Sequence, residues 1–370
     1  MEAGAGRLRY LVSLGAEVSL KGRGTRAHLE RLIWDNLLSR AERFGLSLRV
    51  EPFRGRFLLF SDSDPMPLLK SHFGLSRAAL FFGIKELYRW VVDVPFSSFE
   101  VAVDRCADRG IALEERRRLV EFLSLRSSRG PHLEVRLEFH DGLSFALVNP
   151  VKLPGGLPVG CGGRVLHLFS GGPDSVLSAL LLMRRGQRVC LAFFDDGVGD
   201  RFDAALYAAR RVAFFAPGME VELFRVSHRG NLEAMAEAVS RRKLCLFCKA
   251  SMLLLSCRMA EALGFDAVST GEILGEQASQ TLYSMLAVSR CAPCHILRPV
   301  VCFNKEEVFE GLRRLGVGET FSMPACPFAP RRPATRARGD HLLERLRRIP
   351  LRLSYERVVV RAGACDGPRF

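Results

Sequence analysis

The chain has 370 residues, is 48% hydrophobic and carries a net charge of +14. That length implies two or three domains, and the apolar fraction is that of an ordinary globular protein with sizeable cores. No apolar run reaches the length of a membrane span and no N-terminal signal pattern is visible, so the chain is expected in the cytoplasm.

In that compartment eleven cysteines suggest metal or redox ligands more than a disulfide framework. The basic excess favours a polyanionic partner such as nucleic acid. It is concentrated in residues 151–370, at +10 against +4 for residues 1–150.

In chain order, Arg9 to Leu14 reads as a strand. Thr25 to Phe44 reads as an amphipathic helix with Leu29, Leu32, Ile33, Leu37 and Leu38 on one face. Leu46 to Arg54 and Arg56 to Ser61 read as strands paired about Gly55. A short helix at Leu68 to Phe73 and a strand at Ala78 to Phe82 complete a βαββαβ order, the ferredoxin-like pattern. A second small α/β unit follows, with a strand at 99–103, a helix at 113–125 and a hairpin over 133–148 turning at Asp141-Gly142.

Pro and Gly then crowd into Leu153-Pro154-Gly155-Gly156-Leu157-Pro158-Val159-Gly160, which marks a linker. Beyond it, strands at 165–169, 188–194, 220–226 and 267–269 alternate with helices, including 202–215 and 246–263. That alternation predicts a doubly wound parallel sheet with its ligand beyond the carboxyl ends of the strands.

The first strand of this sheet runs into Ser170-Gly171-Gly172-Pro173-Asp174-Ser175, and a helical pattern starts at once. Strand, Gly-rich turn and helix N-terminus together make an anion site, because several N–H groups and the helix dipole converge. The Gly-Lys-Ser/Thr of a Walker A loop is absent, so γ-phosphate transfer is not indicated. A bland reading remains beside this one: a Gly-rich turn occurs in any doubly wound sheet. The loop resembles the pyrophosphate loop of ATP pyrophosphatases, which adenylate a substrate at the α-phosphate.

Further motifs follow in order. They are Cys245-Leu246-Phe247-Cys248-Lys249, Thr270-Gly271-Glu272 through Gln280-Thr281-Leu282, and Leu297-Arg298-Pro299 followed by Asn304-Lys305-Glu306-Glu307. With the Gly15-to-Gly22 opening segment and Arg26, they resemble the tRNA 4-thiouridine synthetase family, the tRNA sulfurtransferases, over nearly the whole chain. Pro173, Val176 and Glu276-Gln277 depart from that family's usual pattern.

The resemblance implies a ferredoxin-like domain at 1–83, a THUMP RNA-binding domain at 84–152, a linker at 153–164 and an adenine-nucleotide hydrolase-like domain at 165–370. It implies a short form without a rhodanese domain. The expected partners are tRNA and a sulfur donor, either sulfide or a cysteine-desulfurase persulfide; a homodimer is left open. The expected cofactors are ATP and Mg²⁺. Ser170, Gly171, Gly172, Asp174 and Ser175 would hold ATP, Thr270, Gly271 and Gln280 would line the nucleotide or uridine pocket, and Lys305 would act at the α-phosphate. Asp174 could instead cap a helix and Lys305 lie exposed.

Cys245 and Cys248 with Cys326 could hold a [4Fe–4S] cluster, as in short members of the family. Cys291-x-x-Cys294 with Cys245 and Cys248 could instead make a Cys₄ zinc site, or the thiols could act without metal. Cys106, Cys161, Cys190, Cys257, Cys302 and Cys365 read as core or incidental residues. The reaction expected is adenylation of a uridine, at position 8 of the tRNA, and replacement of its 4-oxygen by sulfur. Other readings are another adenylating enzyme of this fold, either a thiolase of a different nucleotide or an amidotransferase-type synthetase, and a non-catalytic RNA-binding protein.

Overall fold

A computed structural model describes residues 8–140, 142–318, 326–334 and 339–367. Asp141 of the expected hairpin turn and Pro324-Ala325 before Cys326 lie outside the described residues.

The elements run in this order: β1 (Leu8–Leu14), α1 (Ala16–Ser19), α2 (Arg23–Phe44), β2 (Leu48–Phe53), β3 (Arg56–Ser61), α3 (Met66–Leu69), β4 (Leu75–Gly83), α4 (Ile84–Trp90), β5 (Ser98–Cys106), α5 (Arg109–Ser124), β6 (His132–His140) and β7 (Leu143–Lys152). The expected helix at 68–73 is shorter and lies earlier, after Pro65. The chain forms two compact units: one runs up to Lys21 and resumes over Gly45–Gly155, and the other is Gly22–Phe44 with everything from Gly156 onward.

The first unit is built on one seven-stranded sheet in the order β2-β3-β1-β4-β7-β6-β5. Strands from the expected 1–83 and 84–152 regions therefore share a sheet, joined where β4 pairs antiparallel with β7. α5 begins at an N-cap in which Asp108 Oδ1 accepts from the N–H groups of Gly110 and Ile111. Its buried Ala112, Leu119 and Leu123 pack with Leu133, Val135 and Leu137 of β6.

α2 belongs with the second unit. Its buried residues Leu29, Ile33, Leu37 and Arg40 recur at helical spacing, whereas Leu38, expected on that face, is exposed. The Arg40 guanidinium lies over the Phe214 ring, and Asn36 donates to the Val159 carbonyl at 2.9 Å.

The second unit continues with β8 (Arg164–Leu168), α6 (Pro173–Arg184), β9 (Arg188–Asp195), α7 (Arg201–Ala213), β10 (Glu220–Ser227), α8 (Arg229–Ala238), α9 (Leu244–Leu263), β11 (Ala267–Thr270), α10 (Leu282–Ser289), β12 (Ile296–Leu297), α11 (Lys305–Arg314), α12 (Gly339–Arg347) and β13 (Tyr355–Arg361). Its sheet has the order β12-β11-β8-β9-β10-β13. The pairs among β12, β11, β8, β9 and β10 are parallel, as expected, and β13 adds an antiparallel edge beside β10.

Buried apolar residues on both faces of β8 explain its continuous hydrophobic run. Leu166, Ala192, Phe224 and Val268 form one core with α8, α9, α10 and α12. α6 and α7 pack together and contact β9. β8 lies between β9 and β11, so the winding reverses there and opens a crevice beyond their carboxyl ends.

Candidate functional site

The Ser170–Ser175 loop sits at that crevice. Gly171 has φ +81°, a left-handed value that strains any residue with a Cβ. Gly172 is the N-cap of α6, and Pro173 opens the helix. Ser170 Oγ donates to Ser175 Oγ at 3.3 Å and accepts from Gly172 N, while Ser175 Oγ donates to the Gly172 carbonyl at 2.9 Å. Beneath the loop, buried His167 bridges the Ser175 carbonyl and Ser269 Oγ at 2.9 and 3.0 Å. Burial pulls its pKa down to about 4, so it is neutral at pH 7.

The end of β11 presses on the same helix turn. A Cβ on Gly271 would stand 2.8 Å from the Ser175 Cα and N, so only glycine fits. Lys305 opens α11, whose N-terminus is fixed by a capping box between Asn304 and Glu307. Its ammonium reaches both carboxylate oxygens of Asp174, at 2.8 and 2.9 Å. The structure thus joins the two residues expected at the phosphates although 131 positions separate them.

A cavity of about 200 Å³ is lined by Ser170, Asp174, Ser175, Thr270, Gly271 and Gln280, among others. Gln280 folds its side chain back, its Oε1 accepting from Gln277 N at 3.0 Å. Glu272 also lines this cavity and is gripped from three sides. Lys249 Nζ lies 3.3 Å from one oxygen; Arg298 Nε and Thr270 Oγ1 donate to the other at 3.0 and 3.1 Å. Burial acts to raise the Glu272 carboxyl pKa, but the two cations outweigh it and hold it below the ordinary value.

A second cavity, of about 540 Å³, brings together Cys245, Cys248 and Cys326. Cys245 and Cys248 lie at the start of α9. Burial pushes the Cys248 thiol up to about 12, with Cys245 and Cys326 adding to it and Lys249 opposing. His228 and the Asp196–Arg201 ion pair line the same cavity. Lys249, Glu272 and Arg298 stood inside quoted motifs without a role. His228, Asp196 and Arg201 have no sequence signal, because they converge only through β9, β10 and their following turns.

The Cys₄ zinc expectation is corrected. Cys294 is bonded to Cys257 in a disulfide, with the two Cα atoms 5.5 Å apart. Cys291 is buried, its thiol 3.5 Å from the Ala287 carbonyl. Both residues follow α10 into the core against α9, which removes them from Cys245 and Cys248 as co-ligands. Cys257 lies in the core, one of the two readings given for it, and is paired there. Cys245, Cys248 and Cys326 supply the thiol donors an iron–sulfur cluster needs and line one cavity. Among the described residues, however, no three His, Cys, Asp or Glu side chains are arranged to hold a metal ion.

Residues 160–349 match the family model described as "Thiamine biosynthesis protein (ThiI)". The chain belongs to the ThiI family. It is 29% identical over 365 residues to a "tRNA sulfurtransferase" of Desulfurococcus amylolyticus, covering 93% of this chain and 76% of the relative. It is 31% identical over 333 residues to a "Probable tRNA sulfurtransferase" of Aeropyrum pernix, covering 82% of each. In fold it matches a 4-thiouridine synthetase solved with RNA and bound ATP, at TM-score 0.79 and 22% identity, over 95% of this chain and 99% of that one. The segment matched by the ThiI model includes the loop, Lys305 and all three cavity cysteines. No helix among the described residues is long and apolar enough to cross a membrane.

Proposed function

We propose that this chain is an ATP-dependent tRNA thiolase of the cytoplasm, which adenylates a uridine and replaces its 4-oxygen with sulfur. Position 8 is the site we assign. One observation carries the reading: a Gly-rich phosphate loop and a three-cysteine cavity open side by side at one strand-end crevice. A uracil carbonyl oxygen is a poor leaving group. Once that oxygen is bonded to AMP it departs readily, so the chemistry needs a nucleotide site and a sulfur site in contact. The names of the relatives and the solved RNA complex support the same reading.

In this scheme the N–H groups at the start of α6 bind the β,γ-phosphates. Asp174 orients the nucleotide or carries Mg²⁺, and Lys305 stabilises charge at the α-phosphate. Thr270, Gly271 and Gln280 shape the nucleotide or uridine pocket. The cysteines handle sulfur delivered as sulfide or as a desulfurase persulfide. A [4Fe–4S] cluster would be held by Cys245, Cys248 and Cys326, and would supply an open iron to bind hydrosulfide. The first unit and the +14 charge serve the tRNA, through contacts weakened by salt.

ATP–pyrophosphate exchange dependent on tRNA, and mass spectrometry of the product nucleosides, test this reading. Wild-type protein should do both, and anaerobically purified protein should contain iron. Asp174→Asn should abolish exchange while tRNA affinity stays within about three-fold, since the phosphate contacts that dominate affinity lie mainly elsewhere. tRNA binding without exchange in the wild type would leave an RNA-binding protein instead.

A further inference from the structure

The nucleotide cavity and the thiol cavity share Leu168, Ser170, Lys249, Met252 and Gln277, and of these only Lys249 carries a charge. It sits on α9 one residue beyond Cys248. Its side chain is 17% exposed and its ammonium is fixed 3.3 Å from Glu272 Oε1. Glu272 is itself braced by Arg298 and Thr270, so the carboxylate that holds the cation is fixed in place. Lys305 is bound instead to Asp174, which lines the nucleotide cavity but not the thiol cavity.

We infer that Lys249 is the cationic group of the sulfur-transfer step, with Glu272 its positioning residue, while Lys305 serves adenylation. The inference rests on the thiolase reading. With sulfide as donor, hydrosulfide attacks C4 of the adenylated uridine and the C–S bond forms. The C4–O bond breaks, and AMP leaves with the oxygen and the electron pair. The sulfur-bound proton ends on ring N3, so the step needs no oxidant or reductant. Negative charge moves from sulfur to phosphate across the boundary between the cavities, which is where Lys249 stands. A fixed cation there stabilises the transition state at little reorganisation cost.

The test uses full-length protein, tRNA and sulfide under anaerobic conditions. In Lys249→Met, single-turnover thiolation should fall by about 100-fold, the usual scale for one lost preorganised donor, and ATP–pyrophosphate exchange by about ten-fold less than that. Adenylated RNA should accumulate. Lys249→Gln, which keeps a donor toward Glu272 without charge, should match the Met variant, and Lys249→Arg should recover part of the transfer rate. Retained exchange also demonstrates a folded site. Exchange and thiolation falling together in the Met and Gln variants, or thiolation unchanged, would overturn the assignment. Wild-type protein without tRNA-dependent exchange would instead overturn the thiolase reading beneath it.

Discussion

Gly271 shows how a single missing Cβ shapes the site. Its neighbours at 2.8–2.9 Å are backbone atoms of Asp174 and Ser175, which cannot rotate away as a side-chain tip could. Gly271→Ala should therefore push β11 from the first turn of α6, at an overpacking cost of about 1–3 kcal/mol. A lowered denaturation midpoint and a raised KM for ATP in the exchange assay are the expected results; an unchanged variant would show that the strand end can yield. The Lys305–Asp174 contact matters differently. Lys305 is 40% exposed, so the pair contributes little to stability and its importance lies in placing both groups at the loop.

Helix ends aim most of the functional groups. α6 points its N-terminus at the loop, α9 starts with the cysteines and Lys249, and α11 starts with Lys305. α11 depends on its cap: Asn304 Oδ1 accepts from Glu307 N at 2.9 Å, and Glu307 accepts from Asn304 N at 2.7 Å. Asn304→Ala should cost about 1 kcal/mol of stability. It should also loosen Lys305, seen as reduced exchange at low ATP and partial recovery in Asn304→Asp, which can still cap. Equal loss in the Asp and Ala variants would separate the cap from the activity. The Cys257–Cys294 disulfide acts at this scale too, tying α9 to the segment that leads through β12 to Arg298.

Across the whole molecule the chain passes between its two units more than once, because α2, which belongs to the second, interrupts the sequence of the first. Cutting in the Gly/Pro stretch near Gly155 looks natural from sequence. Such a cut would strand the face of α2 that carries Leu29, Ile33, Leu37 and Arg40. A fragment of residues 1–155 is thus expected to melt without a sharp transition or to self-associate, as exposed apolar faces do. Thermal unfolding followed by circular dichroism checks this. A cooperative transition with α2 helical would show that the first unit's own contacts suffice.

Much of the fold was legible in the sequence because its signals are local. Apolar periodicity located β1, β3, β8, β9, β10, α7 and α9 to within a few residues. The glycines after β8 announced the turn into α6, since Gly171 takes a left-handed φ that few other residues allow. Residues that meet through distant parts of the chain were another matter. Nothing local to Cys294 marks Cys257 as its partner, and Cys291-x-x-Cys294 imitates a metal motif that the α10–α9 core consumes. β13 is not among the expected strands, and its antiparallel place beside β10 depends on the path of the tail. Lys249, Glu272 and Arg298 are ordinary charged residues in sequence. Only the packing of α9, β11 and the segment after β12 gathers the two cations on the Glu272 carboxylate and sets Lys249 in the lining of both cavities. Backbone geometry is encoded by neighbours along the chain, whereas the electrostatics of a site arise from charges brought together by the tertiary fold.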